Sequence, residues 1–130
     1  MLVVDASVAI RICSRGTDFS ILGDDQLVAP ALMWSEFSAS VHAAAWRGEV
    51  PSEQARLVLA RLGRGGVRRR EHRQLLSTAW EIADAFGWAK TYDAEYCALA
   101  SLLGCRLVTL DGRLRRGADR LGYVVTPAEL

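Results

Sequence analysis

Residues 91–111, TYDAEYCALASLLGCRLVTLD, constrain this chain more than any other stretch. From Ala94 to Leu103 nearly every side chain is small or apolar on every helical face, and such a helix is buried all round. Gly104 stops it. CRLVTL then carries β-formers without helical period, which predicts a buried strand. Two acids flank the segment. Asp93 falls at a helix N-terminus, where the dipole favours an anion. Asp111 falls where a strand runs out, the place where α/β sheets build ligand sites.

The rest of the chain fits that frame. LVV (2–4) reads as a buried strand ending at Asp5, and Ser7 is positioned to cap a short helix running to Ile12 or Cys13. Residues 14–25 read as a loop with a helical turn near Phe19–Leu22, and LVA (27–29) as a strand closed by Pro30. A long helix is predicted over 32–46 and another over 52–62, capped by Ser52. VRR (67–69) reads as a weak strand, 71–86 as a helix stopped by Gly87, and YVV (123–125) as a last strand before Thr126-Pro127. Strands alternating with helices predict a parallel sheet covered on both sides, in one domain spanning 1–130.

Several function classes are excluded early. The net charge of +1 supplies no global field for nucleic acid or membrane. No apolar run approaches the ~20 residues of a membrane span, and MLVVD lacks the basic and long apolar regions of a signal peptide. Cys13, Cys97 and Cys105 form no C-x-x-C pair, as expected of reduced, packed thiols in a cytoplasmic protein. There is no P-loop and no G-x-G-x-x-G. Ser7 has no histidine partner and Ser35 lies outside any G-x-S-x-G frame.

Glu36 is the acid that helical geometry singles out. At about 100° per residue, Ser35, Ser38, His42 and Glu49 share a polar face, and Glu36 points roughly 130° away from it. An acid on the inner side is expensive unless it is paired or metal-bound. Each of the four acids also has an ordinary reading. Asp5 could cap the first helix, Glu36 could pair with an arginine, Asp93 suits any helix start, and Asp111-Gly112 is a common turn dipeptide. Taken together in a small α/β domain, they point to a site. Two carboxylates ~4 Å apart repel by about 4 kcal/mol at an effective dielectric near 20, so four need a cation. Oxygen-only ligands select Mg²⁺ or Mn²⁺. Such an ion activates water and steadies a phosphate oxygen, which is the chemistry of phosphodiester hydrolysis. His42 and His72 show no ligand spacing and read as surface residues.

VVDASV at 3–8, Pro30 with Glu36 six residues on, YDAEYCALA at 92–100 and TLDGRL at 109–114 together resemble the PIN-domain nucleases, and among them the VapC-like toxins of bacterial toxin–antitoxin pairs. The resemblance covers the whole chain. It implies an acidic quartet at Asp5, Glu36, Asp93 and Asp111, with the hydroxyls of Ser7 and Thr109 supporting it. It implies a five-stranded parallel sheet between helical layers, Mg²⁺- or Mn²⁺-dependent endoribonuclease activity, a homodimer, and a cognate antitoxin whose C-terminal segment covers the groove. Where many relatives carry an asparagine just after the glutamate, this chain has Ala39 and Ser40. Where some carry a further acid two residues past the last aspartate, it has Arg113. One tightly held ion, with a second recruited by substrate, is therefore expected.

RNA approaching a negative pocket needs cations at the rim. Arg115 and Arg116 follow Asp111 closely and are the preferred substrate contacts, with Arg113, Arg11 and the run at 61–73 as further candidates. Trp34 and Trp46 edge the apolar face of the helix at 32–46, where an amphipathic antitoxin helix could lie. Two rival readings remain: an inactive PIN-like binding module, and a Mg²⁺-dependent phosphoacceptor domain, for which the single lysine, Lys90, stands in the wrong place.

Overall fold

The computed structural model describes residues 1–130. Five strands, β1 (Leu2–Val4), β2 (Leu27–Ala29), β3 (Arg68–Arg69), β4 (Arg106–Val108) and β5 (Val124–Val125), form one sheet in the order β3-β2-β1-β4-β5. Every pairing is parallel. The helices are α1 (Ala6–Arg15), α2 (Leu32–Trp46), α3 (Ser52–Arg64), α4 (Leu75–Phe86), α5 (Tyr92–Leu103) and α6 (Gly112–Gly117). This is the expected three-layer α/β/α architecture.

The connections explain the layers. From β1 the chain steps outward to β2 and β3, with α1, α2 and α3 packed on one another. It then crosses back to β4 and β5, and α5 packs on β1 and β4. Right-handed crossovers put helices of opposite stepping direction on opposite faces. The direction reverses between β1 and β4, so a crevice opens beyond the carboxyl ends of those two strands. Val4 is level with Val108, and the Asp5 amide donates to the Val108 carbonyl at 3.3 Å, which keeps both strand ends at one height.

β1 is completely buried, as a central parallel strand covered on both faces should be. α5 is buried through its middle, at Ala94, Tyr96, Cys97, Ala98, Leu99 and Ala100, but not all round over 94–103 as expected: Ser101 is exposed and Leu102 and Leu103 are half-buried. Its alanines Ala94 and Ala98 meet Ala79 and Ala83 of α4, so small residues on both sides let α4 and α5 approach closely. At the opposite edge, β3 exposes arginines, a guard against pairing with another chain.

Three local expectations change. Asp5, not Ser7, is the N-cap of α1, because the Ser7 hydroxyl is turned to Asp5 and to the Leu110 amide. Ser52 is the first residue of α3, behind a Pro51 cap, and that helix runs on to Arg64. α4 begins at Leu75 rather than 71, since His72 Nδ1 accepts the Gln74 amide at 3.1 Å and forms a side-chain turn that competes with helix.

Gly65, just past α3, lies against the buried ring of Phe19, and a Cβ there would run into that ring. Gly65→Ala should therefore cost about 1–3 kcal/mol. A lowered urea midpoint with an unchanged m-value would show it; an unchanged midpoint would mean the ring yields freely.

Candidate active site

The four acids arrive from different elements: Asp111 acts electrostatically on both Asp5 and Asp93, and Glu36 is joined to this group through Tyr96. Asp5 follows β1 directly and is only 4% exposed. Its Oδ1 accepts the Val8 amide at 3.1 Å, which caps α1, and the Ser7 hydroxyl at 2.6 Å. Its Oδ2 accepts the Thr109 hydroxyl at 2.5 Å. Ser7 and Thr109 also accept, from the amides of Leu110 and Asp111, each at 2.9 Å. The two hydroxyls thus tie the end of β1 to the loop after β4. Burial pushes the Asp5 carboxyl above its ordinary range; the Ser7, Thr109 and Val8 bonds oppose this, and the charge of Asp111 adds to it.

Asp111 is the N-cap of α6, its Oδ1 accepting from the amides of Arg113 and Leu114. Its second oxygen takes no protein donor. Asp93, in the first turn of α5, is half-buried and raised in pKa by burial and then by Asp111, with Arg113 pulling the other way. The ordinary reading of Asp5 as a cap holds, and Asp111, whose ordinary reading was a turn with Gly112, is a cap as well. One oxygen of Asp111 holds the backbone and the other is left over.

Glu36 comes from α2, whose buried residues are Met33 and Phe37. It is half-buried rather than enclosed. The phenol of Tyr96 donates to its Oε1 at 2.5 Å, so its partner is a tyrosine and not an arginine. Tyr96 is 2% exposed, and burial together with Glu36 and Asp5 drives its own ionisation far upward, so the phenol stays a donor. Sequence reasoning missed Tyr96. The available signal was a polar ring on the buried face of α5, one turn past Asp93, whose hydroxyl required a partner. Glu95, raised by burial and by Glu36, is a further acid at this edge.

None of the four acids is in an ion pair. No three acidic, histidine or cysteine side chains close into a group able to hold a metal by themselves. The candidate donors are all carboxylate oxygens, and the chemistry of that set fits a hard divalent ion. Mg²⁺ keeps several waters and takes one or two carboxylates, so it does not require a closed protein cage.

The arginines divide. Arg115 is engaged: its guanidinium holds Glu129 at 2.8 and 3.0 Å and Asp119 at 2.7 Å, tying α6 to the last turn of the chain. That engagement holds the Glu129 carboxyl down to about 2, and it leaves Arg115, unlike Arg116, already occupied by acidic partners. Arg116 folds back over Gly112, beside Asp111. Arg113 lines a cleft with Asp93. Arg11 is exposed on α1, about 9 Å of helix rise beyond Asp5. Within the basic run, Arg61 donates to the Cys13 carbonyl and Arg69 covers Trp34, so two of its arginines have structural partners.

Residues 2–120 match the PIN domain family. The chain is 34% identical over 115 residues to a VapC ribonuclease of Mycobacterium bovis and to Ribonuclease VapC9 of Mycobacterium tuberculosis, covering 88% of each chain in both comparisons. PAE2754 from Pyrobaculum aerophilum has the same fold, with a TM-score of 0.77 at 23% identity over 98% of this chain and 90% of that one. The chain therefore belongs to the PIN-domain family. Within that family it groups with the VapC ribonucleases.

The raised carboxyls fix the sign of the pH dependence. Native Asp5 and Asp93 bind protons more readily than the unfolded chain, whose aspartates titrate near 3.8, so acidification favours the native state. Glu129 acts oppositely below its ordinary 4.5. In metal-free buffer the melting temperature should therefore rise as pH falls from 7 towards about 4.5. Asp93→Asn should raise it at pH 7 and flatten the profile. Scanning calorimetry with chelator present checks both, and a melting temperature that falls over this interval would contradict the assignment.

Proposed function

We propose that this chain is the endoribonuclease toxin of a toxin–antitoxin pair, acting in the cytoplasm with Mg²⁺ or Mn²⁺ held by Asp5, Glu36, Asp93 and Asp111. The observation that carries this reading is the set of acids at the β1/β4 crevice, kept free of arginine partners. A bound divalent ion would lower the pKa of an attacking water and draw charge from the scissile phosphate. The protein's own part is positional. Ser7 and Thr109 hold Asp5 through both oxygens, Tyr96 holds Glu36, and the α6 amides hold Asp111. Asp93 is left with no protein donor and so with the greatest freedom to ligate. Arg116 and Arg113, with Arg11 further out, are the proposed substrate contacts.

Two surfaces suit the protein partners. Between α2 and α3 lies a cavity of about 290 Å³ lined by Val41, Ala45, Trp46 and Leu59, with Trp46 83% exposed. This is the groove proposed for the antitoxin helix. Leu76 and Trp80, one turn apart and exposed on α4, are proposed as the homodimer contact. No helix is long and apolar enough to cross a membrane.

Cleavage of a single-stranded RNA is expected with Mn²⁺, absent with chelator, and reduced at least a hundredfold in Asp5→Asn and Asp93→Asn. Cleavage that survives Asp93→Asn would remove the acids from the chemistry. Adding millimolar Mg²⁺ or Mn²⁺ should also raise the melting temperature.

Tyr96→Phe tests positioning. It removes a charge-assisted hydrogen bond of about 1.5–3 kcal/mol from Glu36. The rate should fall about tenfold at saturating RNA, more metal should be needed for half-maximal rate, and folding should be retained. An unchanged metal requirement would make Tyr96 merely structural.

A further inference from the structure

Adjoining the acidic site, and sharing Asp93 and Arg113 with it, is a cleft of about 520 Å³. Its size is that of small-ligand pockets, about 300–1,000 Å³. Gly87, at φ 69, ends α4 and turns the chain, so that Trp88, Ala89 and Lys90 form one wall; Arg113 and Leu114 of α6 form the other. The wall is rigid at its aromatic. Trp88 stacks on Phe86 with centroids 5.1 Å apart and packs against both parts of the core. Its indole edge also lies along Gly117 of α6. The cations are available. Lys90 is exposed, and neither it nor Arg113 is among the residues forming ion pairs.

We infer that this cleft is a nucleotide subsite for the RNA strand being cut, with the half-buried Trp88 receiving one base and Lys90 and Arg113 its phosphate, over a floor closed by the buried Leu114. The inference rests on the nuclease reading. An aromatic face beside paired cations is what binds single-stranded nucleic acid: bases of any identity stack, and cations follow the backbone. A cleft with Asp93 in its wall would repel a free acidic ligand. A strand already held at the acids brings its neighbouring nucleotide there without choice.

The test uses a short labelled oligoribonucleotide that the full chain cleaves with Mn²⁺. Lys90→Ala should raise KM several-fold and reduce the slope of log KM against log salt by about 0.7, the loss of one single-strand phosphate contact. Trp88→Leu should raise KM about tenfold, and Trp88→Phe should restore most of it. A scan of abasic positions should find one nucleotide next to the cut whose base matters to the wild type and no longer matters in Trp88→Leu. The inference is overturned if Lys90→Ala keeps the wild-type KM and salt slope, or if the abasic penalty persists unchanged in Trp88→Leu. Should Trp88→Leu fail to fold, the Lys90 arm and Trp88→Phe decide. If the chain cleaves nothing, the nuclease reading falls separately. Fluorescence anisotropy of the same oligonucleotide then decides the subsite: equal binding by wild type and Lys90→Ala overturns it.

Discussion

Asp5 sits where the sheet reverses its direction of growth, and three donors hold its buried carboxylate. An unpartnered ion at that depth would neutralise or force the strand end outward. The Val8 amide, the Ser7 hydroxyl and the Thr109 hydroxyl oppose this. The same bonds cap α1 and fasten the end of β1 to the loop that starts α6. Because Thr109 and Ser7 also accept the amides of Asp111 and Leu110, the position of Asp111 follows from the anchoring of Asp5. Two acids more than a hundred residues apart are thus held by one knot of hydrogen bonds.

The other two acids depend on how closely α5 can lie. A helix of alanine, cysteine and leucine pressed against β1 and β4 brings its first turn, with Asp93, to the crevice. The same helix carries Tyr96 across to α2, where it meets Glu36. Larger residues at Ala94 or Ala98 would lift α5 from α4 and spoil both placements. The composition that made residues 94–103 look buried is therefore also what lets distant acids become neighbours. Packing and site are a single constraint on this element.

That link explains what could be read from the chain and what could not. Strand and helix identities were legible wherever apolar period or continuous burial was strong, as in LVV, LVA, 32–46 and the central segment. Boundaries failed where a side chain competed with the backbone: His72 delays α4, and Asp5 displaces Ser7 as the cap. The four acids were legible as candidates because each sat at an element end or on an inward face. Their mutual support was not, since Tyr96 and Glu36 are 60 residues apart and only the packed fold joins them. The partners of Arg115 were hidden for a similar reason. Proximity to Asp111 in sequence says nothing of Glu129, which returns from β5 to claim the guanidinium.

Charge is divided locally in a protein whose total is +1. The floor of the crevice is negative and lacks ion pairs, while cations stand at its borders on α6 and at Lys90. A uniformly basic protein would attract RNA everywhere and would collapse its own arginines onto the acids. Here Arg115 is tied to Glu129 and Asp119, Arg61 to a carbonyl and Arg69 to an indole. Among the cations closer to the acids, Arg113 acts on Asp93 through its charge without closing an ion pair. The repulsion between Asp111 and its neighbours Asp5 and Asp93 is therefore left without an ion-paired side chain to offset it, which is the electrostatic ground for proposing a divalent ion there.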